Sequence, residues 1–257
     1  MTGTDTTARR LFVDAPLANG GLVDLDARQV NHVVNVLRLK AGEAIRAFNG
    51  RDGEWATTLA AAGRRRWQLA VTEQIRPQPP APDLHYLFAP LKQARLDYMV
   101  EKAVEMGVGR LRPILTRHGQ VARVNPARML ANAVGAAEQC GILAIPSIDD
   151  PAPLAGLLAE WPDREPARRI VFCDEATAGS DPLAILAGLP PAPLAVLVGP
   201  EGGFAEDERV ALRALPFVTA LPLGPRILRA DTAAVAALAL TQAALGDWRG
   251  APPDPPP

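Results

Sequence analysis

Two short segments hold the residue types that could do chemistry. The first is Leu197-Val198-Gly199-Pro200-Glu201-Gly202-Gly203-Phe204, which completes a short apolar run beginning at Leu194. Glycines there let backbone N–H groups approach a ligand closely. Glu206, Asp207 and Glu208 then suit the start of a helix by the dipole rule. The second is Leu223-Gly224-Pro225-Arg226-Ile227-Leu228-Arg229-Ala230-Asp231-Thr232, again between an apolar run and a helix-like stretch. Gly224-Pro225 makes a turn, Arg226 and Arg229 are fixed cations, and Asp231 or Thr232 can cap the helix. Ligands of open α/β sheets bind at the carboxyl ends of strands. The two turns therefore converge on one pocket if their strands are neighbours. A tight turn without a ligand and a surface arginine pair are the alternative readings.

The elements that must position these segments form two groups. Up to about residue 75 the pattern is short strands: Arg10 to Val13, Ala44 to Phe48, Glu54 to Leu59 and Trp67 to Val71. Turn signals such as Asn49-Gly50 and Asp52-Gly53 separate them, and one short helix is expected around Ala27 to Val36. This is a small β-barrel pattern, assigned to residues 1–75. Arg76-Pro77-Gln78-Pro79-Pro80-Ala81-Pro82 forbids a helix and reads as an extended linker, residues 76–83. From 84 to 250 strands alternate with helices. Leu84 to Phe88, Leu111 to Leu115, Ile170 to Cys173, Leu194 to Val198 and Val218 to Leu223 are apolar runs suited to strands covered on both faces. Leu91 to Met106, a segment starting at Asn125-Pro126, and Thr232 to Leu245 carry helical spacing or a helix start. The fold class is α/β with a largely parallel sheet. The proline-rich tail 251–257 reads as disordered.

The bulk properties narrow the function classes. The chain has 257 residues, 48% hydrophobic and 21% charged, enough for a buried core and too apolar for disorder. Neither a signal peptide nor a membrane span is legible, so a soluble cytoplasmic protein is expected. The net charge of −1 selects no partner. Its distribution does more: Arg9, Arg10, Arg28, Arg38, Lys40, Arg46, Arg51 and Arg64 to Arg66 load the first third with cations among interleaved acids. No G-x-G-x-x-G, P-loop or G-x-S-x-G motif occurs, which disfavours dinucleotide, P-loop and serine-hydrolase chemistry. His32, His85 and His118 lack metal-ligand spacing. Cys140 and Cys173 form no C-x-x-C pair and read as buried thiols. No metal is expected.

Taken together, the segments around Gly199 and Gly224, with the Asp231-Thr232-Ala233 helix start, resemble the bacterial 16S ribosomal RNA uridine-N3 methyltransferases, which belong to the SPOUT superfamily. Lys92 to Gly107, Ala136 to Gly141, Arg10 to Val13 and His32 to Arg38 extend the resemblance over nearly the whole chain. The family usually has glutamate at the position of Asp231, a hydroxyl at Ala230 and arginine at Ile142. The resemblance implies a PUA-like barrel ahead of an α/β domain with a deep trefoil knot, a homodimer, and S-adenosylmethionine as cofactor. It places that cofactor on Leu197, Val198, Gly199, Pro200, Gly202, Gly203, Leu223, Gly224, Ile227, Leu228, Thr232 and Ala233. Methylation at N3 of uracil needs the N3 proton removed and the resulting anion stabilised. Arg229 suits the second task, with Arg226 as substitute, and Glu201 or Asp231 suits the first or orients Arg229. Arg10, Arg38, Arg51, Arg64 and Arg226 are the expected contacts to 16S ribosomal RNA. Another SPOUT enzyme acting on transfer RNA or a ribose hydroxyl, and a non-catalytic knotted RNA binder, are the rival readings.

Overall fold

Alternation of apolar and polar residues with tight turns builds the first sheet. In the computed structural model, which describes residues 9–63, 66–175 and 179–250, five strands form it. They are β1 (Arg10–Phe12), β2 (Leu22–Asp24), β3 (Ala44–Phe48), β4 (Glu54–Ala61) and β5 (Trp67–Arg76), in the order β1-β3-β4-β5-β2. β1 and β3 run parallel and the other pairs antiparallel. The β3–β4 turn is held by Asn49, whose side-chain oxygen accepts from the N–H groups of Arg51 and Asp52. Inward residues Leu11, Val23, Ile45, Ala47, Leu59, Leu69 and Val71 make one core. Val33 joins it from a helical segment that starts as α1 (Ala27–Val30) and continues over Asn31–Val36 as a π-helix. An Asp26–Gln29 capping box starts α1. Two strands run longer than expected, to Ala61 and Arg76, and β2 was not expected. Arg76, placed in the linker from sequence, is the last residue of β5, and its guanidinium pairs with Glu54 at 2.9 Å.

The second sheet is parallel throughout. β6 (Leu84–Phe88), β7 (Arg110–Leu115), β8 (Ser147–Ile148), β10 (Arg169–Cys173), β11 (Leu194–Val198) and β12 (Val218–Leu221) lie in the order β12-β10-β11-β6-β7-β8, and β9 (Ala152–Pro153) pairs with β7. β6 and β11 are buried at every residue, as continuous apolar runs require. Helices α2 (Gln93–Glu105), α3 (Pro126–Cys140), α4 (Leu154–Arg164), α5 (Pro182–Ala187), α6 (Glu206–Ala214) and α7 (Ala230–Leu245) connect the strands. The Asn125 carboxamide accepts from the Arg128 N–H, the cap expected for α3. β12 stops at Leu221 rather than Leu223, because Pro222 has no N–H for the ladder. α7 begins two residues before Thr232, with Arg229 at its N-cap. Asp231, expected to cap it, instead lies in the first turn and accepts from the Thr232 N–H.

The chain divides into two compact units. One comprises the described residues up to Pro80 with Ala137–Ile145; the other comprises Ala81–Ala136 and the described residues from Pro146 onward. Inside the first, Phe12 N–H donates to Glu138 Oε1 at 2.8 Å, and burial pushes that carboxyl group's pKa up. Cys173 is half-buried, whereas Cys140 is exposed, against the expectation of two buried thiols; its place near the end of α3 leaves it facing water. No helix among the described residues is long and apolar enough to cross a membrane. The tail 251–257 and Arg64 lie outside the described residues.

Candidate functional site

Three strand ends meet in one cleft of the second unit. The turns after β11 and β12 converge, but their strands are not neighbours: β10 lies between them. The end of β10 therefore supplies the cleft's middle, Phe172 to Glu175. Sequence reasoning missed these four residues, although an apolar run closed by Asp174-Glu175 marks a strand's carboxyl end. The cleft has a volume of about 150 Å³ and is open to solvent on one side.

The turn after β11 is folded back on itself. A Cβ at Gly199 would lie 2.5 Å from the Phe204 ring, so only glycine lets that ring lie over the chain. Phe204 in turn packs edge-to-face on Phe172, with ring centroids 5.1 Å apart. The acidic first turn of α6 follows, where Glu208 accepts from the Ala205 N–H at 2.9 Å. The turn after β12 is more open. Gly224 has φ +94°, and no atom lies within 4 Å of where a Cβ would stand. Beyond it Ile227 is 88% exposed.

Of the residues expected to hold a cofactor, Val198, Gly199, Pro200, Gly203, Leu223, Gly224, Ile227, Leu228 and Ala233 line the cleft. Leu197 is fully buried in the core, and Gly202 and Thr232 are exposed outside the lining. Among the residues expected to act, Glu201 and Arg226 line the cleft, whereas Arg229 and Asp231 do not. Arg229 is exposed at the N-cap of α7. Asp231 stands 3.9 Å from the Nε of Arg95, whose Nη1 pairs with Glu201. Arg95, on the first turn of α2, was not foreseen, since nothing in its local sequence sets it apart from a surface cation.

The cleft's chemistry is selective. Asp174 is buried and paired with Arg213, 2.7 Å from its Nε. Burial, followed by the Asp174 charge, pushes the Cys173 thiol up to about 12, so it stays protonated at neutral pH and is no nucleophile. An apolar floor (Phe172, Val198, Leu223, Leu228) with open backbone beside Gly224 fits a flat ring carrying a short polar chain. Among the described residues no group of histidine, cysteine and carboxylate side chains is placed to hold a metal ion.

The expected RNA contacts separate into two kinds. Arg10 is not available to a phosphate. Its side chain is 7% exposed and bonded to Glu54, to the carbonyl of Ala137, and to those of Glu138 and Ile142 at 3.2 and 3.0 Å. That is a correction, and its cause is Glu54: a fully buried carboxylate needs a cation, and Arg10 is drawn inward to supply one. Arg38, Arg51 and Arg226 are exposed, Arg51 within 3.1 Å of Asp14. Arg66 is exposed as well.

Two family models match successive parts of this chain. A family model described as an RNA methyltransferase domain matches residues 77–242, and one described as an RNA methyltransferase PUA domain matches residues 25–71. The chain is 29% identical to a ribosomal RNA small subunit methyltransferase E of Rickettsia conorii, covering 90% of this chain and 93% of that one. It is 28% identical to the Bacillus subtilis protein of the same name, over 83% and 87%. The structure of the Neisseria gonorrhoeae enzyme of that name bound to S-adenosyl methionine superimposes with a TM-score of 0.79, at 26% identity, over 93% of this chain and 98% of that one. A Legionella pneumophila methyltransferase in complex with the cofactor SAM gives 0.78, at 27% identity, over 93% and 99%. With more than half of its length matched by the methyltransferase model and a PUA domain ahead of it, this chain belongs to the RNA methyltransferase family.

Proposed function

We propose that this protein methylates N3 of a uridine in 16S ribosomal RNA of the small subunit, using S-adenosylmethionine, and that it works in the cytoplasm as a homodimer with a SPOUT trefoil knot. The observation that carries the reading is the cleft built by three adjacent strand ends inside the RNA methyltransferase domain. Val198, Leu223 and Leu228 would hold the cofactor's adenine, and the backbone at Gly199, Gly203 and Gly224 its polar parts. When bound, it supplies a methyl group on a sulfonium, ready for transfer to a nucleophile. Uracil N3 becomes one only when its proton leaves, so the protein's task is to take that proton and stabilise the anion on the flanking oxygens. Arg226, at the cleft, and Arg229, at the start of α7, are the cations of the turn after β12, and Glu201 shares the cleft wall with two other carboxylates, Asp174 and Glu175, of which Asp174 is already paired with Arg213.

The test uses the purified full chain, labelled cofactor and either small subunits or naked 16S RNA. Labelled 3-methyluridine in the nucleoside digest is expected, with Arg229→Ala lowering kcat by about 10²-fold at unchanged cofactor affinity. Cofactor binding without turnover would establish the non-catalytic reading. Label on a ribose, or only on transfer RNA, would establish the other SPOUT target classes.

A further inference from the structure

At the cleft rim, Arg95 joins three segments that are far apart in the chain. Its Nη1 pairs with Glu201 on the turn after β11, and its Nε faces Asp231 in the first turn of α7 at 3.9 Å. The three side chains retain 36%, 44% and 18% exposure. Ion pairs this wet add little stability. The two acids it meets are also the two proton-acceptor candidates, and of these Glu201 lines the cleft while Asp231 does not.

Resting on the proposed uridine chemistry, we propose that Arg95 is a positioning residue for proton removal. It holds Glu201 against the cleft as an ionised acceptor, and Asp231 holds Arg95 from the other side. The step balances simply. The N3–H bond breaks, its proton forms an O–H bond on the Glu201 carboxylate, and its electron pair stays on N3. That pair forms the bond to the donated methyl as the methyl–sulfur bond breaks with its own pair left on sulfur. A nearby cation keeps a carboxylate ionised to lower pH. Arg95 therefore sets the acid side of the rate profile through Glu201, without taking the proton itself. The shorter Asp231, where the resembled family usually has glutamate, still reaches Arg95 from the first turn of α7.

The experiment compares wild type, Arg95→Ala and Arg95→Lys in kcat, KM, the pH profile of kcat and cofactor Kd by calorimetry. Arg95→Ala is expected to lower kcat by about tenfold or more at neutral pH, to move the acid limb to higher pH, and to leave cofactor Kd within about twofold. Arg95→Lys should bring the limb back. An unmoved acid limb would overturn the proposal, whether kcat falls or not. Should wild type bind the cofactor yet methylate no RNA, the uridine reading fails on its own. Hydrogen exchange then decides the positioning claim. Faster exchange over residues 199–204 in Arg95→Ala supports it, and unchanged exchange contradicts it.

Discussion

Glu54 has no solvent exposure, and three arginines converge on it: Arg10 at 2.5 Å, Arg76 at 2.9 Å and Arg46 at 3.7 Å. A buried carboxylate is tolerated only with such company, and removing one member leaves the others uncompensated. Glu54→Gln is therefore expected to cost about 3–5 kcal/mol, read as a lower urea midpoint at an unchanged m-value. A loss below about 1 kcal/mol would mean that water reaches the site and the pair behaves as a surface one. The same residue explains what the sequence could not disclose. Arg10 looks like a surface cation in an RNA-binding barrel, and its removal from solvent depends on a partner 44 positions away and on carbonyls 127 or more positions away. No local pattern encodes such a distance. Glu201 and Arg226 are legible because they stand inside glycine-rich turns, while Arg95 reaches the same place from a helix that reads as ordinary amphipathic surface.

At the scale of elements, periodicity works where burial is simple. β6 and β11 match their apolar runs residue for residue, and the Asn125-Pro126 start of α3 is read from its cap. α4 escapes sequence reasoning although Leu154, Leu157, Leu158 and Trp161 keep helical spacing and are all buried; Pro162 in its last turn disguises it. β8 and β9, of two residues each, are too short for any period. β6 also carries a titratable group into the interior. His85 is buried 3.6 Å from Glu165, and desolvation pushes it down to about 4, with Arg168, Arg112 and Arg110 adding to the effect and Glu165 opposing it. The sign follows from proton counting. In the unfolded chain His85 titrates near 6.5, so between pH 6.5 and about 4 the unfolded state binds more protons and stability falls as pH falls. Above 6.5 both states are neutral and the residue contributes no slope. His85→Asn should flatten the dependence of Tm on pH across that window. A wild-type Tm that is level from about pH 6.5 to about 4.5, with the variant parallel to it, would show that His85 charges freely in the folded protein.

For the whole molecule, a net charge of −1 conceals a division between a barrel-like sheet bearing exposed arginines and a sheet whose strand ends build a cleft. The order and period of the apolar runs conveyed the α/β class and the two-part arrangement of elements. The expectation of a knot and of a homodimer came only with the family resemblance, because neither has a local signature. The exposed Arg38, Arg51 and Arg66 remain as candidate RNA contacts once Arg10 is withdrawn. Replacing all three by glutamine should weaken RNA binding and reduce the slope of log K against log salt by about 0.7 for each phosphate no longer neutralised, about 2 in all. Stability should change little at such exposed positions. An unchanged slope would take this sheet out of RNA binding.

Methylation of one small-subunit ribosomal RNA uridine at N3, as proposed, can be read by nucleoside mass spectrometry of that RNA from cells with and without the gene. Loss of 3-methyluridine alone, restored by the wild-type chain, is the expected result. An unchanged 3-methyluridine level in the deleted strain would contradict the claim.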